Sequence, residues 1–243
     1  MVLANFPEFG FKGDELTGKF GYPSFTKERF YELCEYVNSI GGIMVHAHPA
    51  ILMASEDPED YYLGENSFIE TLIWGYGSHG AMRSYDLWTK LLSMSKHVYA
   101  SSGSDSHSDP ANRAPATFYL SKKDSATFFE KMKKGDFAPG ALGIKMTVGG
   151  HPMGSRIAYR EGMRLCLRVD DFYAPAFNEN TTYEITVITD KGVAYRGCFD
   201  GSLPQALEME VQKRAFYRVL VRDITHNYIM SISNPVWLDK DEE

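Results

Sequence analysis

The sequence predicts an α/β region over residues 1–143 followed by an antiparallel β-sandwich over residues 144–243. Three observations carry this division. Up to about residue 143, short apolar runs alternate with helical patterns, as in parallel strands with helices packed outside. Beyond it, apolar and polar residues alternate with the period of two that marks strands with one buried face. Turn residues punctuate the second region at short intervals, which suits a sandwich.

In the first region, Thr26 is placed to cap a helix with Phe30, Leu33, Val37 and Ile40 on one face, and Gly41-Gly42 to end it. Ile43-Met44-Val45 follows as a short buried strand running into His46-Ala47-His48-Pro49. Thr71–Trp74 forms a second apolar run after an acidic, Tyr-containing loop. A helix from about Tyr85 to Ser95 turns Leu87, Leu91 and Leu92 inward. Val98-Tyr99-Ala100 is a third strand, leading into Ser101-Ser-Gly-Ser-Asp105-Ser-His107. The last helix of the region, near Ser125 to Lys134, carries Phe128, Phe129 and Met132 as its apolar residues. Only about three parallel strands can be read here, few for a closed barrel or an open α/β sheet. In the second region, Leu165-Leu167-Val169, Tyr183-Ile185-Val187 and Tyr217-Val219-Val221 each line one face, and Asp190-Lys191-Gly192 supplies a hairpin-like turn between two of these runs.

Composition narrows the function. The 243 residues are 44% hydrophobic and 23% charged, enough apolar material for a core, with a formal net charge of -7. An acidic chain makes a poor nucleic-acid surface, since phosphate backbones call for clustered cations. The densest basic stretch, Lys131–Lys134, reads as a helix end before Gly135. Cys34, Cys166 and Cys198 lie far apart without CxxC spacing and read as buried, reduced thiols of a cytoplasmic protein. The N-terminal stretch lacks the basic segment of a signal peptide, and no apolar run is long enough for a transmembrane helix.

The chemistry is concentrated in two loops. Both follow parallel strands at their carboxyl ends, where such folds place ligands and catalytic groups. In an extended His46-Ala47-His48, both imidazoles point the same way, and Pro49 holds His48 in the β or polyproline region. The pair alone fits a metal site and a structural strand end equally well. Asp105 and His107 likewise share a face, and a carboxylate with an imidazole suits zinc, manganese or iron. Crowded into one turn, Asp105, Ser106 and His107 cannot form a nucleophilic relay. Arg113 is a candidate for binding substrate phosphate. His79, His97, His151 and His226 are scattered and read as non-functional, and Phe6, Phe9, Phe11, Phe20 and Tyr22 as packing residues.

Gly41-Gly-Ile-Met-Val-His-Ala-His-Pro49 together with Ser102-Gly-Ser-Asp-Ser-His107 resembles the third and fourth motifs of the PHP (polymerase and histidinol phosphatase) superfamily. Phe68-Ile-Glu-Thr71 resembles the strand between them, and Ala116–Leu120 the usual continuation. Gly150-His-Pro-Met-Gly154 and Ile232-Ser-Asn-Pro235 resemble, more weakly, the β-sandwich of the CehA/McbA-like branch. The resemblance covers most of the chain from about residue 40. It implies a partial, distorted (β/α)7 barrel corresponding to the C-terminal part of such a protein, because the superfamily's first two metal motifs are absent.

By position, the resemblance implies His48, Asp105 and His107 as ligands of a divalent metal, with His46 and Glu70 as further candidates. The implied reaction is hydrolysis of a phosphate ester by a metal-activated water. Three protein ligands suffice for one metal with an open position. A single metal predicts weaker activity than a complete cluster. Two other readings stay open: an inactive remnant serving binding or assembly, and a half-site completed by another chain of a homo-oligomer. A small-molecule substrate is expected, with neither nucleic acid nor membrane as partner.

Overall fold

A computed structural model describes residues 2–4, 27–49, 56–73, 79–103, 116–171, 181–200 and 204–239. Its first layer is a four-stranded sheet in the order β1 (Val2–Ala4), β2 (Ile43–His46), β3 (Ser67–Ile73), β4 (Val98–Gly103). Strands β2, β3 and β4 are parallel, and β1 runs antiparallel along β2.

Helix α1 (Lys27–Ser39) leads into β2 through a tight end at Gly41, whose φ of +69° suits a residue without a side chain. The Gly42 N–H closes that end on the Val37 carbonyl at 2.8 Å. Val37 is buried as expected, but Cys34 takes an inward place and Ile40, beyond the last turn, is 41% exposed. Thr26 and Trp74 lie outside the described residues.

Helix α2 (His79–Ser93) buries Leu87, Trp88, Leu91 and Leu92 against the sheet, and the Trp88 indole N–H donates to the Val98 carbonyl at 3.0 Å. Helix α3 (Ser125–Lys133) is capped by Asp124, whose side chain accepts the Thr127 N–H at 2.7 Å. None of the α3 residues is fully buried, so Phe129 and Met132 lean on the core edge rather than entering it.

The rest is antiparallel. A short pair, β5 (Ala116–Thr117) with β6 (Ala138–Pro139), precedes two larger sheets. The outer sheet runs β12 (Gln205–Glu210), β9 (Arg164–Asp171), β7 (Leu142–Val148), β8 (His151–Pro152). The inner sheet runs β11 (Gly192–Phe199), β10 (Tyr183–Thr189), β13 (Phe216–Asp223), β14 (Tyr228–Ile232), with β15 (Val236–Trp237) also on β13. Their facing residues form one core, including Ile144, Met146, Leu165, Leu167, Val187, Val219 and Val221. The period-two reading therefore holds for the sandwich. The Asp190-Lys191 turn joins β10 to β11, a largely exposed strand, rather than to one of the apolar runs.

The barrel expectation is overturned. Among the described residues only three strands are parallel, and most strands belong to antiparallel sheets. A closed barrel needs each strand hydrogen-bonded to the next around a ring. Here antiparallel β1 follows β2 on one side. On the other, β4 meets a side chain: Asn234 Oδ1 accepts the Ala100 N–H at 2.6 Å, and Asn234 Nδ2 donates to the Ala100 and Phe137 carbonyls. The first region is an open α/β layer laid on a larger antiparallel body.

That contact makes the inner sheet a central layer. Tyr217, Val219 and Val221 of β13 face the sandwich core, while Phe216 and Leu220 join Phe68, Trp88, Leu91 and Val98 in a second core. The division expected at 143/144 falls within β7. Within the antiparallel body the segments 150–154 and 232–235 meet, since the Gly154 N–H donates to the Pro235 carbonyl at 2.7 Å. Gly154 has φ +81°, and a Cβ there would lie 1.7 Å from the Lys134 carbonyl oxygen.

Among the described residues, no helix is long and apolar enough to cross a membrane. The three cysteines are free, but only Cys34 is buried, and burial pushes its thiol up to about 11. Cys166 and Cys198 are exposed because each points to the outward face of its strand.

Candidate functional site

Residues 46–49 leave the carboxyl end of β2 beside β3, in which Glu70 is the one charged residue. In register, His46 stands opposite Ile69, and Glu70 opposite Ser101 of β4. The β3–β4 pairing shifts after Glu70, and the Thr71 hydroxyl donates to the Ser101 carbonyl at 3.0 Å. An irregularity of this kind re-aims side chains near a strand end.

Glu70 is only 8% exposed. Its Oε2 accepts the backbone N–H of His48 at 2.7 Å. Its Oε1 lies over Gly103, where an added Cβ would approach to 1.7 Å. One buried carboxylate thus spans the segment after β2 and the last residue of β4. Gly103 is needed because any side chain would occupy the space of that carboxylate. Asp105 and His107 come two and four residues after Gly103 in sequence.

His48 is the strained member. Its φ is +34°, in the left-handed region that a residue with a side chain adopts at a cost of roughly 1–3 kcal/mol. The expectation that Pro49 keeps His48 extended is therefore wrong. The hydrogen bond to Glu70 turns the His48 N–H toward β3, and the chain bends at His48. With that bend, His46 and His48 no longer form an extended pair on one face.

His46 is anchored differently. Its Nδ1 lies 3.2 Å from the Tyr61 carbonyl, and its ring packs at 5.4 Å from the Tyr61 ring, on the 3-10 turn Pro58–Tyr61. A carbonyl only accepts, so Nδ1 carries the proton and Nε2 keeps its lone pair. Burial holds the His46 pKa below its usual value, partly offset by the Tyr61 carbonyl, with repulsion from His48 adding to the lowering. A neutral imidazole with Nδ1–H on a backbone carbonyl is the form in which histidine binds metal.

Asp105, His107 and Arg113 lie outside the described residues. Among the described residues, no group of three His, Cys, Asp or Glu side chains is arranged to hold a metal ion. His46 fits a ligand role by its tautomer. Glu70, with Oε2 held by the His48 N–H and Oε1 packed over Gly103, fits a positioning role better than a ligand one. Sequence reasoning named Glu70 but missed its bridging geometry; the signal was a lone carboxylate within Phe68-Ile-Glu-Thr-Leu-Ile73.

The other histidines lie elsewhere. His97 is buried between Glu65 and Asp239, edge-on to Trp237. His226 closes a turn on Asp223, with Nδ1 2.7 Å from Oδ2, and His151 is exposed on β8. The side chain of His79 is outside the described residues.

No protein-family model matches the chain, and no curated protein sequence matches it.

Proposed function

We propose that the chain is a metal-dependent hydrolase acting on phosphate esters, with its site at the carboxyl ends of β2, β3 and β4. The observation that carries this reading is the Glu70 bridge, which holds a strained His48 and lies against Gly103, two residues before Asp105. Strain of this kind persists only where surrounding structure imposes it, and it gathers at functional sites.

On this reading His48, Asp105 and His107 hold a divalent zinc, manganese or iron ion. His46 is a fourth candidate through Nε2, and Arg113 is the candidate for the substrate phosphate. The ion would lower the pKa of a bound water toward neutrality and offset charge on the phosphoryl oxygens. Glu70 fixes the backbone of His48, and the Tyr61 carbonyl fixes the tautomer of His46. The chemistry implied by the PHP resemblance is kept here, without its barrel. A cytoplasmic setting, which keeps thiols reduced, suits the three free cysteines.

The test measures bound metal and p-nitrophenyl phosphate turnover together. An Asp105→Ala/His107→Ala variant should lose bound zinc or manganese and all turnover. Glu70→Gln, which keeps an acceptor for the His48 N–H, should lower metal affinity by about 10-fold or less, and Glu70→Ala by about 10- to 100-fold. Metal content unchanged in the double variant, or no turnover by metal-loaded protein, would overturn the proposal.

A further inference from the structure

A cavity region lies at the other end of the parallel strands. It occupies about 1090 Å³ between the start of β4, the end of α3 and the turns around β8. A smaller cavity of about 370 Å³ reaches toward Gly41 and Gly42 and shares Asn66 and Lys133 with the first. Neither includes His46, His48 or Glu70. The combined groove suits an elongated small molecule, and pockets favour seams between packed units.

Its walls are cationic in a chain whose net charge is -7. Lys133, Lys134, Arg156 and Arg160 line the main cavity against one carboxylate, Glu161, and Glu65 lines the smaller one. Lys134 is paired with Glu130 at 2.7 Å. Arg156 has only long contacts, 3.5 Å to Glu65 and 3.4 Å to Asp239, which a closer acceptor could displace. The helix end beside Lys133 offers it partial negative charge, but Lys133 and Arg160, both exposed, have no ion pair among the described residues.

The junction between the cavities is shaped by Asn66, in the left-handed region at φ +61°. Its Oδ1 accepts the Tyr99 hydroxyl at 3.1 Å, leaving the amide NH2 as a donor at the point where the two cavities meet. Burial raises the Tyr99 pKa to about 12, so this hydroxyl keeps its proton, which it shares between Asn66 Oδ1 and the Gly154 carbonyl at 3.3 Å.

We infer that this groove binds a multiply charged organic anion carrying phosphate or carboxylate groups, held by Lys133, Arg160 and the Asn66 amide and separate from the hydrolytic site. Arg156 adds a fork that matches either group.

Calorimetric titration of protein freed of metal on a chelating resin, with pyrophosphate and with citrate at matched ionic strength and with sodium chloride as the control, tests this. Saturable binding of pyrophosphate alone assigns phosphate chemistry, and of citrate alone carboxylate chemistry. Lys133→Gln/Arg160→Gln should weaken binding at least tenfold, whereas Lys191→Gln, remote from the groove, should not change it. Asn66→Asp, which tolerates the same backbone conformation, should also weaken binding at least tenfold. Glu70→Ala should leave binding intact, separating this groove from the proposed hydrolytic site. Binding no stronger than chloride for both probes, or unchanged affinity in the Lys133/Arg160 variant, would overturn the inference.

Discussion

Strands β9 and β13 carry the same alternation and end in different environments. On β9, Leu165, Leu167 and Val169 enter the sandwich core while Arg164, Cys166 and Arg168 face outward. On β13, Tyr217, Val219 and Val221 enter the same core, yet Phe216, Arg218 and Leu220 are buried as well. The difference is the α/β layer, which covers the second face of the inner sheet. An alternating pattern reports one buried face and leaves the other undecided. What decides it is a neighbour more than a hundred residues away.

The largest effect should come from the residue that closes this contact. Asn234 is fully buried, and its amide serves the Ala100 N–H and the Ala100 and Phe137 carbonyls at once. Asn234→Ala strands three backbone groups, each costing about 1–3 kcal/mol if no water reaches it. We expect a loss of about 3 kcal/mol or more in urea unfolding. Separate unfolding of the α/β layer before the sandwich would sharpen the contrast between the two regions; an unchanged midpoint would break it.

Arg218 comes next. It is 1% exposed, stacked at 5.1 Å on Tyr85 and 4.8 Å on Trp88, with hydrogen bonds to the Tyr85 hydroxyl at 2.7 Å and Thr89 Oγ1 at 3.1 Å. No carboxylate pairs with it among the described residues, and its Nε has no hydrogen bond. Burying a charge costs several kcal/mol, and the two ring contacts and two hydrogen bonds offset a similar amount. Arg218→Met should therefore fall within about 1 kcal/mol of the wild type, whereas Arg218→Ala, which also opens a cavity, should cost about 3 kcal/mol. The matched change Arg164→Ala on β9, where the Glu208 pair is exposed on both sides, should move stability by less than about 0.5 kcal/mol. Equal effects at 164 and 218 would refute the buried second face.

These residues also mark what the sequence could convey. The three parallel strands and the apolar stripes of β9, β10 and β13 follow from local periodicity and are present, although the second parallel strand begins at Ser67 rather than Thr71. The left-handed His48 was not legible, because Pro49 argues for an extended residue and only the remote Glu70 carboxylate reverses that. Asn234 was visible within Ile232–Pro235, but its partner at Ala100 is set by how the layers stack. The barrel expectation failed for the same reason: it took the arrangement around three strands from resemblance, while the packing partner is the inner sheet. Asp105, His107 and Arg113, half of the candidate site, fall outside the described residues.

The smallest effect concerns His46, and its sign is fixed by burial. Its folded pKa lies below the ordinary value of 6.5, so the unfolded chain binds a proton more readily than the folded one. Stability from a neutral His46 is complete above pH 6.5. It falls as pH drops through 6.5 toward the folded pKa, and the slope flattens below that. His46→Gln keeps a donor for the Tyr61 carbonyl but cannot take up a proton. Unfolding free energies between pH 7.5 and 5 should decline less steeply in this variant than in the wild type, measured without metal so that only the proton competes for Nε2. If the two slopes are equal, His46 is not buried as a neutral ring. The tautomer that makes it a candidate ligand beside His48 then loses its support.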